Sequence, residues 1–451
     1  MARVLFVLRK AHFSYHRSTI EALIARGAEV RIFVNDAGHA DGTAESVAFR
    51  SWTQAHPEIV WGDQPLRRDI WRKPLMFFRE LRSFNSYCNR PDDFAFYRDR
   101  WSHYMKLPEP VRRWLVSPSG RRIAGSTMVR RLASAFERLA PSSAPIEDWL
   151  SEEKPAVLVV SPGNLRHSED IEVLKAAKEL EISTAVPVVS WDNTSNKGLF
   201  HIHPNLILAW NDAHQEELIK LHHVSPRHIR ITGAPFFDKW FDIAQPPAPR
   251  QTFLPRVGLE PSRPFVLYLG SSANVAKDET WFVRELKLAF EQHADPRLRA
   301  MQILFRPHPA NWRIGLPLTV AGIAMWPREG TLPDDAESFD DFRNSLEHCI
   351  CAVGINTSGM LDAMIYGKAI ISPLIERYQL TQSRAAHFAR MLEMNAIETA
   401  ASAAETAGKV LELLDGRDPR ADNRRAFVTR FVRPHPAGAG EAQAKLILSL
   451  I

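Results

Sequence analysis

Four short segments in the second half of the chain carry residues suited to holding an anion. They are Gly270-Ser271-Ser272, Arg306-Pro307-His308-Pro309, the stretch around Glu329, and Asn356-Thr357-Ser358-Gly359. The last is the most informative. It follows an apolar run at 351–355 and opens a helical pattern that stops at Gly367. Hydroxyls and unpaired backbone N–H groups then meet at a helix start, where the helix dipole also favours negative charge. Arg306 and His308 add to this, because arginine grips phosphate with two parallel hydrogen bonds and a protonated histidine donates one more. The flanking prolines stiffen that turn. Asp362 on the first helical turn and Glu376 beyond the next apolar run are carboxylates that could accept hydrogens from ribose hydroxyls. Each also has a plain role open to it, Asp362 with the helix dipole and Glu376 as a solvated loop residue.

The first half offers groups for proton transfer, which needs a carboxylate or histidine within reach of the reacting hydroxyl. Asp192 is the first choice of base and His12 the second. His16, Asn164, Asn193 and Lys197 stand beside them as acceptor-side candidates, with Arg166 and His167 close by in sequence. Trp191-Asp192-Asn193 also suits an Asx turn in which Asp192 only binds its own backbone. No metal site is expected, since no Asp-x-Asp pair lies at a strand end. The pairs Asp334-Asp335 and Asp340-Asp341 read as solvated helix-start residues.

These loops need elements to position them. Apolar runs at 4–8, 30–34, 156–160, 188–190, 206–210 and 229–232 alternate with helical patterns, which is the rhythm of a parallel sheet. A second series begins after the proline-rich stretch 244–250, with runs at 265–269, 302–305, 349–354 and 369–372. The expected fold class is α/β, with two Rossmann-like, doubly wound parallel-sheet domains facing a cleft. The expected limits are 1–245 for the first domain, 251–430 for the second, and 431–451 as a C-terminal helix. Ligands of such sheets lie beyond the carboxyl ends of the strands. The loop Arg9-Lys10-Ala11-His12-Phe13-Ser14-Tyr15-His16 contains no glycine, so it is not a dinucleotide fingerprint.

A helical insertion at about 61–150 interrupts the first series. It is rich in arginine (Arg67, Arg68, Arg72, Arg79, Arg82, Arg112, Arg113, Arg121, Arg122, Arg130, Arg131) with Trp71, Phe77, Phe78, Trp101 and Trp114 interleaved. Such a surface suits an anionic membrane or an acidic polymer; solvated arginines on a packed insertion are the plainer alternative. No nucleic-acid motif accompanies the charge. The chain has no apolar run of about 18 residues, so no transmembrane helix is expected. Only three cysteines occur, Cys88, Cys349 and Cys351, which fits reduced thiols in a cytoplasmic protein with the inner face of the membrane as a candidate docking place.

The Arg-Pro-His-Pro turn, followed by Asn-Thr-Ser-Gly-Met and a helix ending in Gly-Lys, resembles the donor half of GT-B glycosyltransferases. Bacterial surface-polysaccharide enzymes and CDP-glycerol glycerophosphotransferases are the nearest groups. Ser190–Gly198, Trp210-Asn211 and Thr232–Asp238 extend the resemblance over about 155–390; 61–150 matches no family. The resemblance implies that Arg306, His308, Thr357, Ser358 and Gly359 bind donor phosphates. It implies a metal-independent transferase with no cofactor. Its partners would be a nucleotide-activated or CDP-linked donor and a surface-polysaccharide or lipid-linked glycan acceptor. A glycerophosphotransferase and a non-catalytic glycan-binding protein of the same fold are the alternatives. The related non-hydrolysing UDP-N-acetylglucosamine 2-epimerases carry Gly-Thr-Arg-Pro-Glu after the first strand, where this chain has Arg9–His16.

Overall fold

In the computed structural model, residues 2–35, 47–91, 94–165, 169–316 and 318–451 are described. Arg166 and His167 lie outside them. The chain forms two units, Met1–Asp238 with Phe431–Ile451, and Lys239–Arg430.

Among the described residues the first unit has a seven-stranded parallel sheet. Its strands are β1 (Arg3–Leu8), β2 (Glu29–Val34), β3 (Val60–Asp63), β4 (Val157–Val160), β5 (Ser183–Pro187), β6 (Leu206–Ala209) and β7 (Ile229–Ile231). Their spatial order is β3-β2-β1-β4-β5-β6-β7. Val4 sits opposite Val157 and Phe6 opposite Val159, so β1 and β4 end level. The chain direction across the sheet reverses between these two strands, which is where doubly wound sheets bind ligands. Both faces of β1 and β4 are buried, as expected when helices cover a parallel sheet on both sides.

The last helix, Ala439–Leu448, closes this unit. Ala444 and Ile447 join the core of the first sheet, and Gln443 exchanges hydrogen bonds with Thr19 and Thr232 at 3.0 and 3.1 Å. Asp238 accepts from the Ala439 and Gly440 amides at 2.9 and 2.8 Å, satisfying two donors that a helix start leaves open.

The insertion covers the same unit. Its helices include Arg72–Cys88, Ala95–Tyr104 and Thr127–Leu139, with a small aromatic core of Phe84, Tyr87, Tyr97 and Trp101. The expected basic surface is smaller than its arginine count. Arg67 is fully buried against Asp69 and Glu172. Arg79 is buried between Glu137 and Glu172 at 2.7 and 2.6 Å. Trp101 is buried too. Guanidinium groups taken out of water in this way must be paired, and these are.

The second unit has a six-stranded parallel sheet among the described residues. It comprises β8 (Phe265–Leu269), β9 (Gln302–Arg306), β10 (Ile323–Met325), β11 (Ala352–Gly354), β12 (Ile370–Pro373) and β13 (Glu398–Ala400). The order is β10-β9-β8-β11-β12-β13, so the reversal falls between β8 and β11. The stretch 244–250 is packed on this unit: Arg343 donates to the Gln245 and Pro246 carbonyls at 2.5 and 3.1 Å, and the Ala248 amide donates to Asn344 at 2.7 Å.

Candidate active site

In the second unit, three of the expected loops converge at the carboxyl ends of β8, β9 and β11. Leu269 pairs with Arg306 in register, and the Gly270 amide donates to the Arg306 carbonyl at 2.8 Å. A Cβ on Gly270 would come within 3.2 Å of the His308 nitrogen and the Pro307 Cα. That close approach requires glycine at 270. Across the reversal, the Asn356 amide donates to Ser271 Oγ at 3.3 Å.

Ser271 is held from behind by Glu279, whose part in the site no local sequence pattern signals. Glu279 is fully buried and accepts from the Ser271 amide and from Tyr268 Oη. Burial, only partly offset by these bonds, pushes its carboxyl up to about 7. Ser272 caps the same loop through its carbonyl, which accepts from Val275 and Ala276 at 2.9 and 3.0 Å.

Arg306 is 6% exposed. Its guanidinium lies over the Phe342 ring at 4.5 Å and donates through Nη2 to the Thr331 carbonyl at 3.2 Å. Nη1 is buried and has no hydrogen-bond partner among the described residues. Burial draws the group down to about 10, with Asp341 and Asp362 acting in the other direction. A buried charge without a full set of partners is costly and calls for an explanation, of which a ligand is one.

His308 differs from the expected protonated donor. Burial lowers it to about 4, so it is neutral near pH 7. Its Nδ1 accepts from the Ala310 amide at 3.0 Å, which leaves the proton on Nε2. The ring therefore keeps one N–H available to donate, without charge.

Thr357 is half-buried, Ser358 exposed and Gly359 half-buried. No side chain caps the helix Gly359–Ile365. Asn356 is turned inward instead, its Nδ2 on the Thr381 carbonyl at 2.6 Å and beside His387 Nε2 at 3.1 Å. Asp362 is also internal. It is 3% exposed, accepts from Trp240 Nε1 at 2.6 Å, and is pushed up by burial to about 6. Glu376 is exposed at the start of a 3-10 turn, Glu376–Thr381, and Glu329 is exposed as well.

In the first unit, the loops after β1 and β4 are joined by His16 Nε2 and Ser161 Oγ at 2.7 Å. His16 is buried, and burial lowers it to about 3, so it bonds as a neutral ring. Asn164 and Asn193 are fully buried and satisfy one another: Asn193 Nδ2 donates to Asn164 Oδ1 at 2.6 Å, and Asn164 Nδ2 donates to the Asn193 and Gly198 carbonyls at 3.0 and 3.1 Å. These three hold loops together. Asp192 is only partly buried. It accepts from Ser190 Oγ at 2.7 Å and pairs with Lys197 at 3.0 Å. It makes no side-chain cap to the helix Asn193–Asn196 that follows it, so the Asx turn is not what occupies it. His12 is half-buried on the 3-10 segment Lys10–Tyr15, edge-on to Tyr15.

The insertion grips this loop, a role its sequence did not signal. Tyr87 Oη donates to the Lys197 carbonyl at 2.8 Å, Arg90 to the Ser195 carbonyl at 2.6 Å, and Arg100 to the Asn196 carbonyl at 3.1 Å. The partners are backbone carbonyls far away in the chain, which no local pattern encodes.

No protein-family model matches the chain, and no curated protein does. Solved structures do. A putative UDP-N-acetylglucosamine 2-epimerase from Listeria monocytogenes superposes with a TM-score of 0.54 at 12% identity, over 99% of this chain and 95% of that one. A glycosyltransferase from Rickettsia africae gives 0.51 at 9%, over 100% and 97%. Arabidopsis thaliana UGT89C1, complexed with UDP, gives 0.50 at 12%, over 100% of both chains. At such identities the likeness is one of fold. Two Rossmann-like parallel sheets, each reversing at its own centre, give this chain the GT-B fold.

Proposed function

We propose that this protein is a nucleotide-sugar-dependent glycosyltransferase whose second unit binds the donor. The observation that carries this reading is Arg306, a buried guanidinium whose Nη1 has no hydrogen-bond partner among the described residues, on the same turn as His308, whose ring keeps a neutral Nε2–H. Both stand at the strand ends where a doubly wound sheet takes its ligand. In the proposed reaction Arg306 and His308 meet the diphosphate, and Thr357, Ser358 and Gly359 complete its cradle. They stabilise the charge that builds on the leaving phosphate, as preorganised donors do. Ser271 and Ser272 shape the wall, and Glu376 accepts from the ribose hydroxyls. Asp192, held by Lys197, takes the proton from the acceptor hydroxyl, with His12 as the second choice. The acceptor is a surface-polysaccharide or lipid-linked glycan.

The same fold serves epimerases of UDP-N-acetylglucosamine. Against that activity here stands the loop Arg9–His16, which lacks the Gly-Thr-Arg-Pro-Glu of that group. A CDP-glycerol-type transferase would use the same phosphate site. The test is a thermal-shift panel of UDP, GDP, CDP and CMP, followed by turnover with the sugar conjugates of the nucleotide that stabilises. UDP or GDP stabilisation abolished by Arg306→Met supports the proposal. Stabilisation by CDP or CMP alone favours the glycerophosphotransferase, and stabilisation by none of them overturns both.

A further inference from the structure

The helix Thr127–Leu139 has three faces. Ala133 and Glu137 are buried. Thr127, Arg130, Arg131, Ser134 and Arg138 recur at the spacing of a single face and line a cavity of about 690 Å³. Its other walls bring Arg82, Arg90, Lys220 and His223. The volume suits a ligand of the size of a sugar phosphate. No Asp or Glu is among the described residues that line it; Lys220 is paired with Glu216 outside the lining, and the arginines repel one another until an anion enters.

Two observations show that this wall is not balanced from within. Arg90 is 7% exposed and donates through Nη1 and Nη2 to the Ser195 carbonyl and Ser86 Oγ. Its Nε is buried without a hydrogen-bond partner among the described residues. Arg82 is held below the usual guanidinium range, first by burial and then by Arg130 and Arg138, against the pull of Glu137. The third face of the helix is apolar and exposed: Met128, Leu132 and Leu139.

We propose that this cavity is an anion site of the first unit that takes a phosphomonoester or diphosphate group, carried by a lipid or by a soluble sugar phosphate. The row Met128, Leu132, Leu139 beside the arginines fits the lipid-borne form, since acyl chains cover apolar side chains while arginines hold the headgroup. The assignment is independent of the donor reading, because it uses none of the donor-loop residues.

The test is calorimetric titration of the full chain with inorganic pyrophosphate, beside sedimentation with phosphatidylcholine vesicles with and without phosphatidylglycerol. Arg130→Ser with Arg131→Ser should weaken pyrophosphate by about tenfold or more, the scale of lost charge-assisted bonds. Arg68→Ser with Arg122→Ser removes the same charge from exposed positions outside the cavity and should leave the affinity within about twofold, as screened distant charges do. His308→Ala should also leave this site intact. Equal losses in the two double variants, or loss only with His308→Ala, would overturn the proposal. Vesicle binding that needs phosphatidylglycerol, and is lost in Met128→Ser with Leu132→Ser while pyrophosphate binding survives, assigns the lipid-borne form. Pyrophosphate binding without vesicle binding assigns the soluble one, and absence of both overturns the site.

Discussion

The reversal points of the two sheets are built alike and finished differently. In each, a serine ties the loops on either side of the reversal, Ser161 to His16 in the first unit and Ser271 to Asn356 in the second. Beyond that tie the first unit spends its polar groups on itself: Asn164 and Asn193 bond each other, and Asp192 pairs with Lys197. The second unit leaves a buried guanidinium nitrogen of Arg306 without a hydrogen-bond partner among the described residues. A satisfied network fixes a loop, whereas an unsatisfied charge reserves a place for a ligand. At these reversal points the same fold thus ties loops through a neutral amide pair in one half and presents an incompletely bonded guanidinium in the other.

Five substitutions test this contrast. The largest effect is expected from Asp192→Asn. If the carboxylate takes the proton, turnover falls by about 10²–10⁴, nucleotide affinity is kept, and stability changes by less than about 1 kcal/mol because the Lys197 pair is partly solvated. Initial rates and titration calorimetry read the two arms. A rate within a few-fold of the parent would move the base to His12 or remove it.

Arg306→Met comes next. Losing a charged hydrogen bond to phosphate costs about 1.5–3 kcal/mol, or roughly 10–150-fold in nucleotide affinity. The unliganded protein should melt no earlier than the parent, since an incompletely paired buried charge is replaced by an apolar chain of similar length. A lower melting temperature without loss of affinity would make Arg306 a structural residue.

Asn164→Ala should do the reverse. It leaves the Asn193 side chain and two buried carbonyls short of partners, at about 1–3 kcal/mol. Urea unfolding should show that loss, with nucleotide binding to the second unit unchanged.

The remaining effects are in pH dependence, and they have opposite signs in the two units. His16 drops from 6.5 to about 3 on folding. Its contribution to stability is complete above pH 6.5 and is lost as pH falls toward 3. Glu279 rises from 4.5 to about 7. Its contribution is complete below pH 4.5 and is lost as pH rises through 7. Each limb has a slope of up to about 1.4 kcal/mol per pH unit. His16→Gln should flatten the acid limb, and Glu279→Gln the limb between 4.5 and 7. A parent-like slope in either variant would mean that the carboxyl or ring is solvated.

Much of the fold was legible along the chain. The apolar runs at 4–8 and 265–269 are β1 and β8, because strands buried on both faces read as continuous apolar segments. The loops that follow strands were legible too. What the pattern could not show was the direction in which each polar side chain turns. Asn356 and Asp362 lie in the expected segment, yet one reaches Thr381 and the other Trp240. Arginine counts misled for the same reason: Arg67 and Arg79 add positive charge to the sequence and none to the surface.

The sequence by itself determined two βα series, the anion-suited loops at the ends of their strands, and the insertion that interrupts the first. These follow from local periodicity and turn chemistry, which act over a few residues. Only the tertiary structure decided which of those loops is satisfied and which is not. It also decided that His308 donates as a neutral ring, that Glu279 stands behind Ser271, and that Tyr87, Arg90 and Arg100 clamp the loop carrying Asp192. Burial and long-range partners set each of these, and both exist only once distant segments have packed.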